Sequence, residues 1–109
     1  MKLEVGMYVR TKEGNIEKIC AIENEHIYTD EDYLSWYPSH NAINKASHNI
    51  IDLIEVGDYV NWNEVMNKEL NFVYTHNRFG NRLCLKETDI KSIVTKEMFS
   101  SVEYRVEIN

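Results

Sequence analysis

The sequence predicts an all-β protein built from two small tandem β units. Two observations carry that expectation: a seven-residue segment that recurs at an offset of 51, and short runs rich in Val, Ile and Tyr between polar turns, while the four Gly and one Pro in 109 residues each mark a definite turn. Leu3-Glu4-Val5-Gly6-Met7-Tyr8-Val9 returns as Ile54-Glu55-Val56-Gly57-Asp58-Tyr59-Val60, with Glu, Val, Gly, Tyr and Val in the same places. The same offset pairs Glu13 with Glu64, Leu34 with Leu85, and Ile43-Asn44-Lys45 with Val94-Thr95-Lys96. Twice 51 nearly spans the chain, so the expected units are residues 1–53 and 54–109. Each buries little apolar surface alone, so the two are expected to pack as one body, extended by homo-oligomerisation.

In the first unit, Gly6 marks a turn and Tyr8-Val9 opens a strand, because Gly tolerates positive φ and the residues after it suit a pleated surface. Thr11 to Asn15 is a polar turn, Ile16 to Ile22 the return strand, and His26 to Thr29 a third strand. The charged turn Asp30-Glu31-Asp32 leads to an aromatic strand, Tyr33 to Tyr37, which Pro38 breaks or confines to an edge.

In the second unit the expected strands are Asp58 to Trp62, Leu70 to Tyr74, Arg82 to Leu85, Ile90 to Val94 and Val102 to Ile108, with a tight turn at Asn77 to Asn81. Thr95 is placed to cap a helical turn at Lys96 to Ser100, and by the offset Asn44 caps a matching turn at Lys45 to His48. Two readings compete over residues 42–54. Ile43, Ala46, Ile50, Leu53 and Ile54 fit helical spacing, whereas the β-branched run Ile50 to Ile54 fits a strand, and the strand is preferred.

Composition narrows function without naming it. With 43% hydrophobic residues, seven Tyr, three Phe and two Trp, the chain is expected to fold. A net charge of −6 disfavours broad binding to nucleic-acid backbones. The start of the chain lacks an apolar signal-peptide core and no long apolar run exists, so a cytoplasmic protein without a membrane span is expected. Cys20 and Cys84, far apart and without a Cys-x-x-Cys partner, read as reduced, partly buried thiols.

No nucleophile motif, phosphate-binding glycine loop or metal-ligand spacing is present. His40 and His48 are eight apart, which fits neither helix nor strand ligand pairs, and Asp30-Glu31-Asp32 reads as a solvated charge run. Neither an enzyme nor a cofactor is therefore expected. What stands out is aromatics beside cations. Rings at Trp36, Tyr37 and Trp62 can stack on a base, and Arg10, Arg78 and Arg82 can hold phosphate. The competing reading places Trp36 and Trp62 in the two small cores and leaves the arginines solvated.

The Val-Gly-x-Tyr-Val segments resemble the opening strand of KOW and SH3-like modules, which implies two tandem SH3-like small barrels. The stretches Glu4 to Lys12, Lys45 to Asn61 and Ile90 to Glu97 resemble a family of small proteins from phages and prophages of Firmicutes, clostridial ones especially. The family carries no catalytic assignment to transfer. The resemblance implies a non-catalytic inhibitor of bacterial anti-phage immunity in the host cytoplasm, most concretely one that sequesters a small nucleotide signal. The alternative is an interaction module whose acidic surface covers a host defence protein or a nucleic-acid-binding one.

Overall fold

Gly6 and Gly57 adopt φ angles of +91° and +98°. Each is the third residue of a four-residue turn, closed by the Met7 amide on the Glu4 carbonyl (3.2 Å) and the Asp58 amide on the Glu55 carbonyl (3.0 Å). A residue without Cβ holds that conformation at no steric cost. Each turn delivers the chain into the first strand of a sheet. The computed structural model describes residues 2–24, 26–30, 36–37 and 43–102.

The first sheet holds β1 (Tyr8–Thr11), β2 (Ile16–Glu23), β3 (His26–Thr29), β4 (Trp36–Tyr37) and β5 (Ile43–Ser47), in the order β4-β3-β2-β1-β5. The second holds β6 (Tyr59–Val60), β7 (Asn63–Lys68), β8 (Val73–His76), β9 (Arg82–Leu85) and β10 (Ile93–Val94), in the order β10-β6-β7-β8-β9. All pairings are antiparallel, and both sheets share one scheme: three consecutive hairpins with the fifth strand returning beside the first. One α-helix, α1 (Lys96–Val102), occurs among the described residues, so the class is all-β. Among those residues β4 does not pair with β5, nor β9 with β10, so neither sheet closes into the expected barrel.

Strand alternation builds two small cores. Val9, Ile19, Ile27 and Ile43 fill the first; Ile51, Ile54, Val60, Val65 and Val73 fill the second, with Leu85, Ile90 and Ile93 against them. Ile51 comes from the segment expected to close the first unit. It sits on a 3-10 turn, Ile50–Leu53, that Asn49 caps by accepting the Ile51 amide at 3.1 Å. Ile51 thus packs with the second core although it precedes residue 54.

Several expectations are corrected. Of the expected helix or strand over 42–54, the described residues 43–54 form neither one helix nor a strand at Ile50 to Ile54: Ile43–Ser47 pairs with β1, and the run after it turns with Asn49 accepting the Ile51 amide. Asn44 therefore lies in a strand and not at the start of a helical turn. Asn63–Lys68, with Val65 its one buried residue, was not legible as β7, and the strand expected at Leu70 to Tyr74 is displaced to Val73–His76. Cys20 and Cys84 are exposed, because alternation turns them away from the cores. The aromatic strand expected over 33–37 is described only at Trp36–Tyr37. The strand expected over 102–108 lies outside the described residues, apart from Val102, which ends α1.

Candidate functional site

Arg10 does not reach an open surface. With Val9 facing the first core, alternation points Arg10 to the opposite side of β1, where the two halves meet, and its side chain is fully buried. Its guanidinium forms a bidentate pair with Asp58, hydrogen bonds to the Leu53 carbonyl (2.9 Å) and to Glu97, and lies 3.7 Å from Glu55. Lys45 and Lys96 reach the same Glu55 at 3.0 and 2.7 Å, so three cations meet three carboxylates. Burial opposes the charge on Arg10, but the bonds and charge of Asp58, then Glu97 and Glu55, outweigh it and raise its pKa. Burial likewise opposes ionisation of Glu55, yet Lys96, Lys45 and Arg10 hold its pKa at about 2.

Asp58 also accepts the amides of Glu55 (2.7 Å) and Lys96 (2.9 Å), so from just before β6 it satisfies the first amide of α1, which follows the neighbouring β10. Thr95 stands at the N-cap position, its carbonyl accepting the Met98 (3.0 Å) and Phe99 (3.2 Å) amides, and it donates its hydroxyl to the Gly14 carbonyl at 2.7 Å, which fastens the β1–β2 turn to the helix. Arg10, expected to hold phosphate, is thus buried as the tie between the halves and does not border the open clefts.

Trp62 has the opposite placement. Val60 pairs with Asn63, leaving Asn61 and Trp62 as a two-residue hairpin loop with φ of +51° and +69°. Positive φ at both positions defines a type I′ turn, which favours Asn at the first place and Gly at the second. Trp at the second costs about 1–2 kcal/mol of steric strain. It is 73% exposed, so burial does not offset that cost. Anchorage holds the turn: the Asn61 side chain accepts the amides of Lys91 (2.8 Å) and Ser92 (3.2 Å) and donates to the Asp89 carbonyl (2.8 Å), while its own amide reaches the Ser92 carbonyl (2.9 Å).

Beside this indole lies an open cleft of about 450 Å³, lined by Tyr59, Trp62, Glu64, His76, Arg78 and Phe79 among others. The Arg78 guanidinium stands over the Phe79 ring, 4.9 Å from its centroid. Asn77 builds the tight turn that presents both, accepting the amides of Phe79 (2.9 Å) and Asn81 (3.0 Å) on its side-chain oxygen. The register sets Tyr59 opposite Glu64, Glu64 opposite His76 and His76 opposite Arg82, a row of side chains across one face of the second sheet. Arg82 borders the adjoining cleft, about 330 Å³, with Met66, Glu69, Tyr74 and His76. Burial, with the Glu69 charge and Cys84 thiol nearby, pushes the Tyr74 phenol up and keeps it a neutral donor.

Trp62 and Arg78 therefore share one cleft, Arg82 borders the next, and Arg10 is elsewhere. The side chains of Trp36 and Tyr37 lie outside the described ones; their backbone forms β4, at the edge of the other sheet. Sequence reasoning missed Tyr59, Glu64 and His76, which only the register brings together. It also missed the turn at Trp62, because Asn-Trp stands where Asn-Gly would have signalled a hairpin. Among the described residues no three His, Cys, Asp or Glu side chains gather as metal ligands. No helix among them is long and apolar enough to cross a membrane. No protein-family model, no curated protein and no solved structure matches the chain.

Proposed function

We propose that the protein is a non-catalytic binder of a small nucleotide, with Trp62 and Phe79 offering ring faces to a base and Arg78 and Arg82 holding phosphate. The observation that carries this reading is Trp62 itself. A bulky residue kept at φ +69° and 73% exposed stabilises neither turn nor core, and strain of that kind concentrates at binding sites. A ring carried on an anchored turn spares the backbone ordering that a mobile loop would cost when a base stacks on it. Taken with the resemblance to phage and prophage proteins, the role we assign is sequestration of a nucleotide signal of bacterial immunity in the host cytoplasm.

Calorimetric titration with a panel of mono- and dinucleotides tests it. Binding is expected to disappear in Trp62→Ala and to weaken with added salt, as phosphate contacts do. A panel without heat or competition at millimolar ligand refutes it. Sedimentation of the free and saturated protein reads the homo-oligomer that such small cores lead us to expect.

A second reading, an interaction module that covers a host defence protein, draws on Met66, Leu70 and Phe72, exposed by 46%, 75% and 40% on β7 and the loop after it. If it is right, Leu70→Asp abolishes capture of a stoichiometric host partner while leaving nucleotide titrations unchanged.

A further inference from the structure

Trp62 borders two clefts, not one. Besides the cleft shared with Arg78 and Phe79, a second, shallower one of about 610 Å³ opens beside it, lined by Asn61, Leu85, Thr88, Asp89, Lys91 and Ser92. Both are large enough for one nucleotide unit, since ligand pockets start near ~300 Å³. The first offers Arg78 as a phosphate partner and the second Lys91, so each can hold one anionic group beside the same indole.

The second cleft is also built on the strained turn. Asn61, whose bonds to residues 89–92 anchor the turn, also lines this cleft, so the backbone that carries Trp62 and the loop that carries Lys91 are fixed relative to one another. The Asp89 carboxylate is occupied by the Lys86 amide at 3.1 Å, which ties down the 3-10 turn Glu87–Asp89 on the same side. A single ring standing between two clefts, with one cation in each, matches a ligand of two bases joined by phosphate.

We propose that the ligand is a dinucleotide that straddles Trp62, one nucleotide unit in the cleft of Arg78 and Phe79 and the other in the cleft of Lys91 and Thr88. This rests on the nucleotide-binding reading above and adds to it the size of the ligand and the role of Lys91. Joining two weakly held units through one linker makes the second contact intramolecular, so the dinucleotide gains affinity without any new type of contact.

The test titrates the full chain with AMP, the linear dinucleotide pApA and cyclic diadenylate, and with the guanine counterparts, against wild type, Arg78→Ala and Lys91→Ala. The Lys91 amide, not its side chain, bonds Asn61, so Lys91→Ala leaves the turn anchored. Dinucleotides are expected to bind about ten-fold or more tighter than mononucleotides. Lys91→Ala is expected to remove most of that gain while sparing mononucleotide binding in the Arg78 cleft, whereas Arg78→Ala weakens both that binding and the dinucleotide's. Equal affinity for linear and cyclic forms assigns the recognition to the two units themselves, and a cyclic preference assigns it to the closed ring; either supports the proposal. Mononucleotides binding as tightly as dinucleotides, or Lys91→Ala weakening both alike, overturns the two-cleft ligand and leaves the nucleotide reading standing. No binding by any of the six probes overturns both.

Discussion

Replacing Arg10 with Met tests what joins the two halves. Arg10 and Asp58 are both 0% exposed, and Asp58 accepts four hydrogen bonds: two from Arg10 and one each from the amides of Glu55 and Lys96. Met keeps much of the apolar stem but leaves a buried carboxylate with only its two amides, and it strips the Leu53 carbonyl of its guanidinium donor. Breaking one side of a buried ion pair costs about 3–5 kcal/mol. That is a large share of the roughly 5–15 kcal/mol available to a domain of this size. At about 4–8 °C per kcal/mol, the midpoint of thermal unfolding falls by at least ~12 °C. Urea unfolding followed by far-UV circular dichroism measures the difference. The companion variant Arg10→Met/Asp58→Asn removes the stranded charge while keeping a side-chain oxygen for the Lys96 amide, and it should recover about 1–3 kcal/mol of the loss. A single variant that loses less than about 1 kcal/mol, or a double variant no more stable than the single, refutes the view that a buried ion pair ties the halves.

Three further outcomes follow from the same geometry. Trp62→Gly should raise the urea midpoint, by about 1 kcal/mol in stability, because Gly suits φ +69° at the second turn position, and should abolish nucleotide binding in the same protein. Glu55 has a pKa lowered from 4.5 to about 2, so its contribution is fully present above pH 4.5 and is lost as pH falls toward 2. Acid titration of stability should accordingly show a slope across that window that is flattened in Glu55→Gln. Cys20 and Cys84, both exposed, should react with a thiol reagent in the native protein without a lag for unfolding, and a lag in either would contradict their placement on the outer faces.

Much of the fold was legible where the local pattern was strong. The turns at Gly6 and Gly57, the hairpin from Thr11 to Ile22 and the tight turn at Asn77 carry their own signals: glycine at positive φ, β-branched runs, and an Asn side chain able to close the loop. Where the signal was weak, reading failed. Asn63–Lys68 has one buried aliphatic in six residues, so nothing in it announces a strand, and only pairing with both β6 and β8 makes it the centre of a sheet. The site behaved likewise. Trp62 and Arg78 were recognisable as residue types that bind nucleotides, but their neighbours Glu64 and His76 come from strands paired across the sheet, and spacing along the chain cannot reveal them.

The sequence by itself determined the all-β class, the places where turns must fall and a set of aromatic and cationic residues fit for a ligand, because backbone preference and side-chain chemistry are local properties. Tertiary structure decided what each of those residues does. Arg10 and Arg78 look alike in sequence, yet one is buried against Asp58 and Glu97 while the other stands over Phe79 beside an open cleft. The physical reason is that a charge is worth what surrounds it, and strand register, not composition, chooses the surroundings.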